Sequence, residues 1–306
     1  MHFGDYNVLV LERFCVADDR WVKTFADYVT SAGKTLIWDG DDDFAAIEDY
    51  NPASEVITKE VAVHTAKLIA SCHAVTASTE YLASRLRRHN PNVYVLPNCL
   101  DLEMWDQVAR VVPVPDHLTI GWFGSVSHVR DIEILESVWP EVARRCPNVS
   151  FIAAGYCSPA LQQSLGNRLE VLGWAPLRDY PAIVRRIRIG CLPLLDIEFN
   201  RSKSNLKFLE FAALGIPCVA SPCGPYRNLS GESEVLHAVT ASQWTRQLLR
   251  LVKDVELRKR IGACAQRVVR EKHDMRMEAE QWFHTYRTIR LAQPNVADHR
   301  PMGVWV

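Results

Sequence analysis

The chain predicts an α/β protein with two parallel sheets, each covered by helices. Short apolar runs alternate with helical stretches from Asn7 to Leu291, the pattern of strand–helix–strand units. The run at residues 7–11, Asn-Val-Leu-Val-Leu, is apolar almost throughout, as in strands buried on both faces. The alternation breaks once, across residues 99–117 with Pro113 and Pro115, which reads as a linker between two domains. A length of 306 residues is comfortable for two domains.

In the first half, residues 7–11 and Lys34–Trp38 read as strands, with a helix over Asp19–Ser31 stopped at Gly33. Pro52 is placed to open a long helix to Cys72. Ala74–Thr76 is a third strand, Ser78 an N-cap for a helix over Thr79–His89, and Asn92–Leu96 a fourth strand. The second half starts with a strand at Leu118–Phe123, a small-residue turn from Gly124 to His128, and a helix over Asp131–Cys146. Strands follow at Val149–Ala154, Leu169–Leu172 and Ile189–Leu195, with a helix over Tyr180–Arg188. Three amphipathic helices close the chain, over Ala241–Val252, Glu256–Val269 and Arg276–Leu291, and the residues after Gln293 read as a loose tail.

Composition sets limits. Apolar residues make up 48% and charged residues 23%, ordinary for a soluble globular protein. The net charge of −1 gives no bulk attraction to nucleic acid or membrane. Residues 1–112 carry 10 Lys/Arg against 17 Asp/Glu, a net of −7, and the remainder 25 against 19, a net of +6. An anionic ligand therefore belongs with the second half. Nine scattered cysteines without a CxxC pair fit reduced thiols in the cytoplasm better than disulfides or zinc. No signal-like start and no long apolar run is present. The expected location is cytoplasmic, at most peripheral at the inner membrane face.

Three stretches carry chemistry. In Phe199–Ser221, Arg201, Lys203 and Lys207 precede or open an apolar helix that holds one acid, Glu210. Cations and open N–H groups at a helix start suit a diphosphate, and a lone carboxylate suits a ribose diol. A solvated basic loop is the plain alternative. The strand–turn–helix with Gly124, Ser125 and His128 is a second phosphate-type signal, weak alone because such turns favour small residues. Third, Asp39-Gly40-Asp41-Asp42-Asp43 puts four acids in five residues at a strand's C-terminal end, where open α/β sheets bind ligands.

Order and spacing make these signals specific. Gly121-Trp122-Phe123-Gly124-Ser125 with His128, then Gly173-Trp174-Ala175-Pro176, Leu192-Pro193-Leu194, and Phe199–Ser221 with Lys203, Lys207, Glu210 and Gly215 resemble the donor-binding domain of GT-B glycosyltransferases of family 4. Leu96-Pro97-Asn98 and Asp101 resemble that family's PNG-x-D segment, with Cys99 in place of glycine.

The resemblance implies an α/β fold of two Rossmann-like domains (GT-B), with parallel sheets covered by helices and a C-terminal helix crossing back to the N-terminal domain. The domains would be 1–112 on the acceptor side, 113–275 for the donor, and 276–306 for the crossover helix and tail. It implies transfer, with retention, from a nucleotide-diphosphate sugar (UDP, GDP, dTDP or ADP) to a hydroxyl of a surface glycan or lipid-linked saccharide. No metal or other cofactor is required. Gly124, Ser125, His128, Arg201, Ser204, Asn205, Leu206 and Glu210 would bind the donor. Lys203 and Lys207 would stabilise the leaving diphosphate. Asp42 and Asp43, or Asp41, would orient the acceptor hydroxyl or act as its base.

The chain departs from the family in two places. Ser202 stands where the first Glu of the E-x7-E pattern is expected, and the N-terminal domain is short, without a glycine-rich first loop. Three other readings follow. One is a degenerate nucleotide-sugar binder. Another is a magnesium-dependent phosphatase of the haloacid-dehalogenase type, with Asp39 as nucleophile and Asp41 as acid. The last is a glycosyltransferase acting on a hydroxylated DNA base, for which Arg85, Arg87 and Arg88 supply a local basic patch and the charge of −7 on residues 1–112 is unfavourable.

Overall fold

The computed structural model describes residues 6–293 apart from 14, 17, 114 and 115; the expected tail after Gln293 lies outside these. The chain forms two compact units. The first gathers the residues up to Pro97, the segment Arg201–Ser204, and the chain from Glu278. The second holds Asn98–Asn200 and Asn205–Met277.

Unit 1 is built from β1 (Val8–Glu12), α1 (Asp19–Ser31), β2 (Thr35–Gly40), α2 (Lys59–Ser71), β3 (Ala74–Ala77), α3 (Glu80–Leu86) and β4 (Val93–Val95). The strands are parallel and lie in chain order, β1-β2-β3-β4. Right-handed crossovers that always step the same way put every helix on one face. Leu36, Trp38, Val75 and Ala77 accordingly point into one core with Val22, Val29, Leu68 and Leu82. Two expectations shift here. The helix from Pro52 is split into a 3₁₀ turn at Pro52–Glu55 and α2, because extended Thr58 caps α2 by accepting from the Val61 N–H at 3.2 Å. Thr79 rather than Ser78 caps α3, its hydroxyl accepting from the Leu82 N–H.

Unit 2 runs through α4 (Leu102–Val111), β5 (Leu118–Gly124), α5 (Glu133–Arg145), β6 (Val149–Gly155), α6 (Pro159–Leu165), β7 (Leu169–Leu172), α7 (Tyr180–Arg185), β8 (Ile189–Leu192), α8 (Glu198–Ser202, whose last two residues belong to unit 1), α9 (Leu206–Ala213), β9 (Cys218–Ala220), β10 (Leu236–His237), α10 (Ala241–Lys253) and α11 (Val255–Lys272). All six strands are parallel, in the order β10-β9-β8-β5-β6-β7. The expected linker is mostly helix. Asp101 caps α4 by accepting from the Glu103 and Met104 N–H groups, and Leu102 and Trp105 are buried. An apolar stripe at helical spacing outweighed the prolines that follow it. The strand expected to Leu195 stops at Leu192, before Pro193. Gly155, at φ +88°, lets β6 end against β5, since a Cβ there would lie 2.2 Å from the Gly124 carbonyl oxygen.

The last helix, α12 (Met275–Leu291), supplies the second layer of unit 1. Ile289 and Tyr286 pack with Ile37, Ala74, Val8 and Tyr94, the residues alternating with those of the first core. Arg290 donates to the Gly33 carbonyl at 2.8 Å and to the Thr35 hydroxyl at 3.3 Å. Burying such side chains is worth about 2 kcal/mol each, so α12 is integral to this unit. No helix among the described residues is long and apolar enough to cross a membrane.

Candidate functional site

Strand order locates the first part of the site. From β5 the sheet of unit 2 grows through β6 to β7, then reverses to β8 on the other side of β5. Such a reversal opens a crevice beyond the strands' C-terminal ends. The turn after β5 and the segment after β8 border that crevice.

Gly124 closes β5, and a Cβ there would meet the Trp122 indole at 2.4 Å. Packing beneath the turn therefore already requires glycine. The Ser125 and Ser127 hydroxyls lie 2.6 Å apart in a short 3₁₀ turn. His128 is buried, its Nδ1 2.7 Å from Asp131 Oδ2. Asp131, also buried, accepts at Oδ1 from the Leu195 N–H and from Asn200 Nδ2, both at 2.8 Å. This carboxylate ties the turn after β5 to the segment after β8. The sequence offered little sign of it, since Asp131 reads as an ordinary helix-start acid.

Opposite it, α9 begins at Leu206, with Asn205 in the cap position and no side-chain cap bond. Such a helix start leaves N–H groups outside its own ladder. Leu206 and Lys207 are half-buried in the first turn, and Glu210 follows one turn in. The Tyr180 hydroxyl donates to Glu210 Oε2 at 2.8 Å. Burial raises the Glu210 carboxyl above its ordinary value, while Lys207 and the Tyr180 bond oppose the rise. Burial and the neighbouring Glu210 hold the Tyr180 phenol well above its usual range. Phe123, just before Gly124, stacks on Phe211 at 5.3 Å and meets Tyr180 edge-on at 5.8 Å. These rings fix the Glu210 end of α9 to the end of β5. Trp174, in the loop after β7, is 81% exposed.

Arg201–Ser204 belongs with unit 1. Ser202 has no exposed surface, and its carbonyl accepts from the Thr79 hydroxyl at 3.0 Å. A glutamate there would have to enter a filled space. Arg201 is exposed and Ser204 half-buried. Lys203 Nζ donates to Asp42 Oδ1 at 3.0 Å.

The acid run divides by partner. Asp43 is buried, accepts from Arg85 Nε, and caps the turn at Phe44–Ala46 through the Ala45 N–H. Asp42 has Lys203. Asp39 accepts from the Thr76 hydroxyl, and its carboxyl is raised by burial against that bond. Asp41 Oδ1 lies 2.9 Å from Arg13 Nε. Its carboxyl is nevertheless raised to about 6, first by burial and then by Asp42, with Arg13 and Lys203 opposing. Of the basic patch, Arg85 is spent on Asp43 and Arg87 pairs with Glu80. Among the described residues no three His, Cys, Asp or Glu side chains converge as metal ligands.

The predicted residues thus form two groups. Gly124, Ser125, His128, Asn205, Leu206, Lys207 and Glu210 belong to unit 2; Arg201, Lys203, Ser204, Asp42 and Asp43 belong to unit 1. Residues 117–254 match the family model of glycosyl transferases group 1. Solved structures of similar fold include HepE from Anabaena in complex with UDP-glucose, at 14% identity over 92% of this chain and 79% of that one, with a TM-score of 0.70. Sucrose-phosphate synthase from Thermosynechococcus elongatus is 14% identical over 94% and 75%, with a TM-score of 0.73. A glycosyltransferase from Rickettsia africae is 12% identical over 95% and 100%, with a TM-score of 0.61. These likenesses show the fold, GT-B. No curated protein matches the chain in sequence.

Proposed function

We propose that this glycosyltransferase, whose residues 117–254 carry the group 1 domain, moves a hexosyl group from a nucleotide-diphosphate sugar to a hydroxyl of a saccharide or lipid-linked saccharide, with retention. The observation that carries the donor half is the partly buried Glu210, held by Tyr180 one turn into α9 and tied through Phe123 and Phe211 to the Gly124 turn. A carboxylate so placed accepts from both hydroxyls of a ribose. The open start of α9, with Asn205, Leu206 and Lys207, faces the same crevice and suits the diphosphate. Gly124, Ser125 and His128 line its other side.

In the reaction the bond from the anomeric carbon to the diphosphate breaks and its electron pair goes to the diphosphate oxygen. The acceptor oxygen bonds to that carbon on the same face, and its proton passes to the departing phosphate. Negative charge grows on the diphosphate, and Lys207 with the open start of α9 lowers the barrier by stabilising it. That cation takes the place of a metal, so turnover should survive chelation by EDTA. Asp42 and Asp43 hold the acceptor side in register through Lys203 and Arg85. HepE is solved with UDP-glucose, which makes UDP-glucose the first donor to try, with GDP-, dTDP- and ADP-sugars as further arms. The enzyme acts in the cytoplasm or at the inner membrane face.

A thermal-shift titration tests the donor half. A true donor at about 100 times its dissociation constant stabilises the fold by roughly 2.7 kcal/mol, and Glu210→Ala should abolish that shift. No shift with any nucleotide sugar would sink the proposal. Buried Ser202, in place of an acid, favours a second reading as a binder without turnover. Release of free nucleoside diphosphate from a bound nucleotide sugar decides against it.

A further inference from the structure

A basic groove lies in the outer helix layer of unit 2, formed by residues that take no part in the crevice. One wall is a single stripe of α10, on which Ser242, Thr245, Arg246, Arg250 and Lys253 recur at helical spacing. Glu141 and Arg145 of α5 form the other wall, and the groove measures about 490 Å³. Trp244, Leu248 and Leu251 of α10 turn the opposite way, into the core with Val138 and Val142 of α5. That packing holds the two helices side by side and turns the polar stripe toward solvent.

Charge in the groove is unevenly compensated. Glu141 accepts from Arg144 and Arg145 together, so one carboxylate answers two guanidiniums. Arg250 donates to both oxygens of Glu232, at 2.8 and 2.9 Å. Arg246 and Lys253 are exposed and have no hydrogen bond or ion pair among the described residues. Thr245 is only 8% exposed. Its hydroxyl makes no hydrogen bond among the described residues, yet it is not sealed from solvent. Thr24 and Thr65, also on helices, each donate to the carbonyl four residues back. A hydroxyl so nearly buried is ordinarily bonded, and this one is left open inside a cationic groove.

We propose that this groove binds a soluble oligophosphate anion, whose oxygens accept from the Thr245 hydroxyl between the helices and from Arg246 and Lys253 beside it. The chemistry selects the ligand. The groups open for bonding are hydroxyls and cations, and phosphoryl oxygens accept strongly from both. A cationic ligand would meet Arg246 and Lys253, and a neutral one would leave their charge unanswered. Arg246 and Lys253 stand about 10 Å apart along the helix axis, which suits a short chain of phosphoryl groups better than one phosphate. A bilayer surface would rest on the exposed Arg246 and Lys253 and leave Thr245 unused, so a small anion that enters the groove is favoured. The groove stands apart from the crevice, and its occupancy does not depend on the glycosyl-transfer reading.

The test is isothermal titration calorimetry of the full chain with inorganic triphosphate. The crevice could take the same probe, so the titrations are made in a Lys207→Ala background, with and without Thr245→Val or the pair Arg246→Gln and Lys253→Gln. Expected is triphosphate binding that persists in Lys207→Ala. The Arg246→Gln and Lys253→Gln pair should weaken it about tenfold or more, and Thr245→Val, which keeps the side-chain volume, about tenfold. No binding in the Lys207→Ala background overturns the inference, as does affinity unchanged in both groove variants. Binding weakened by the cation pair but untouched by Thr245→Val would be diffuse attraction to a basic helix face, and overturns the built site. Flotation with phosphatidylcholine vesicles containing phosphatidylglycerol is the last arm. Vesicle binding lost in the cation pair, without triphosphate binding, assigns the face to a membrane and overturns the soluble ligand. Should Thr245→Val fail to fold, Thr245→Ala takes its place.

Discussion

Beyond β5 and β8, unit 2 gathers one partly buried carboxylate, a phenol, a lysine and an open helix start. Beyond β2 and β3, unit 1 gathers four carboxylates within five residues. In unit 2 each acid has its own partners: Tyr180 donates to Glu210, and the Leu195 N–H and Asn200 donate to Asp131. In unit 1 the acids are crowded, and what each can do depends on its partner. Asp43 has a guanidinium and a backbone N–H, Asp42 an ammonium, Asp39 a hydroxyl, and Asp41 an incompletely compensating arginine. Two parallel sheets present the same kind of strand end, and the neighbouring charges decide which groups stay available to a ligand.

The largest expected effect is structural and would break this division if absent. Asp43→Ala leaves Arg85 half-buried without its acid and removes a cap, costing about 3–4 kcal/mol. Thermal melts of this variant, Arg85→Ala and the double variant should show strong coupling; additive losses would remove Asp43 from its structural role. Next, Glu210→Gln should weaken nucleotide-sugar binding by roughly tenfold to a hundredfold in a thermal-shift titration, without lowering the melting temperature of the free protein. A stability loss instead would make Glu210 a core group and erase the contrast with unit 1.

The third effect is smaller and of opposite sign. A carboxyl raised to about 6 in the fold is harder to ionise there than in the unfolded chain. Ionised Asp41 therefore costs stability at neutral pH, and that cost fades as pH falls from its folded value toward its unfolded one. Asp41→Asn should stabilise the protein by about 1–2 kcal/mol at pH 8, with the gain gone near pH 4, as read by denaturant melts at both. A destabilised variant at pH 8 would mean Arg13 compensates Asp41 fully. Smallest is Trp174→Ala. At 81% exposure it should change stability by no more than about 0.5 kcal/mol, so any loss of nucleotide-sugar binding in that variant would report a contact with the ligand.

Much of the fold was legible because periodicity reports burial directly. Val8–Glu12, Ala74–Ala77, Leu118–Gly124 and Val149–Gly155 are short β-rich apolar runs, and each is a strand. The misreadings fell where local and tertiary preferences compete. Pro113 and Pro115 suggested a linker, but Leu102 and Trp105 had a core to fill, so α4 formed. Ser78 looked like a cap, but Thr79 took that place and left Ser78 buried on the sheet. α6 went unread, a short helix whose apolar positions, Leu161 and Leu165, are too few to show a period.

The sequence by itself determined the alternation of strands and helices, the acidic and basic halves, and the residue types at both strand ends, because these depend on neighbours along the chain. Tertiary structure alone decided that β8 returns to the far side of β5, that α12 forms the second face of the unit 1 sheet, and that Lys203 meets Asp42 across 161 positions of sequence. It also decided which carboxylate stays available. A charge's environment in a fold is set by groups within a few ångströms, and those groups come from β1, α3, α12 and residues 201–204, segments that no local pattern joins.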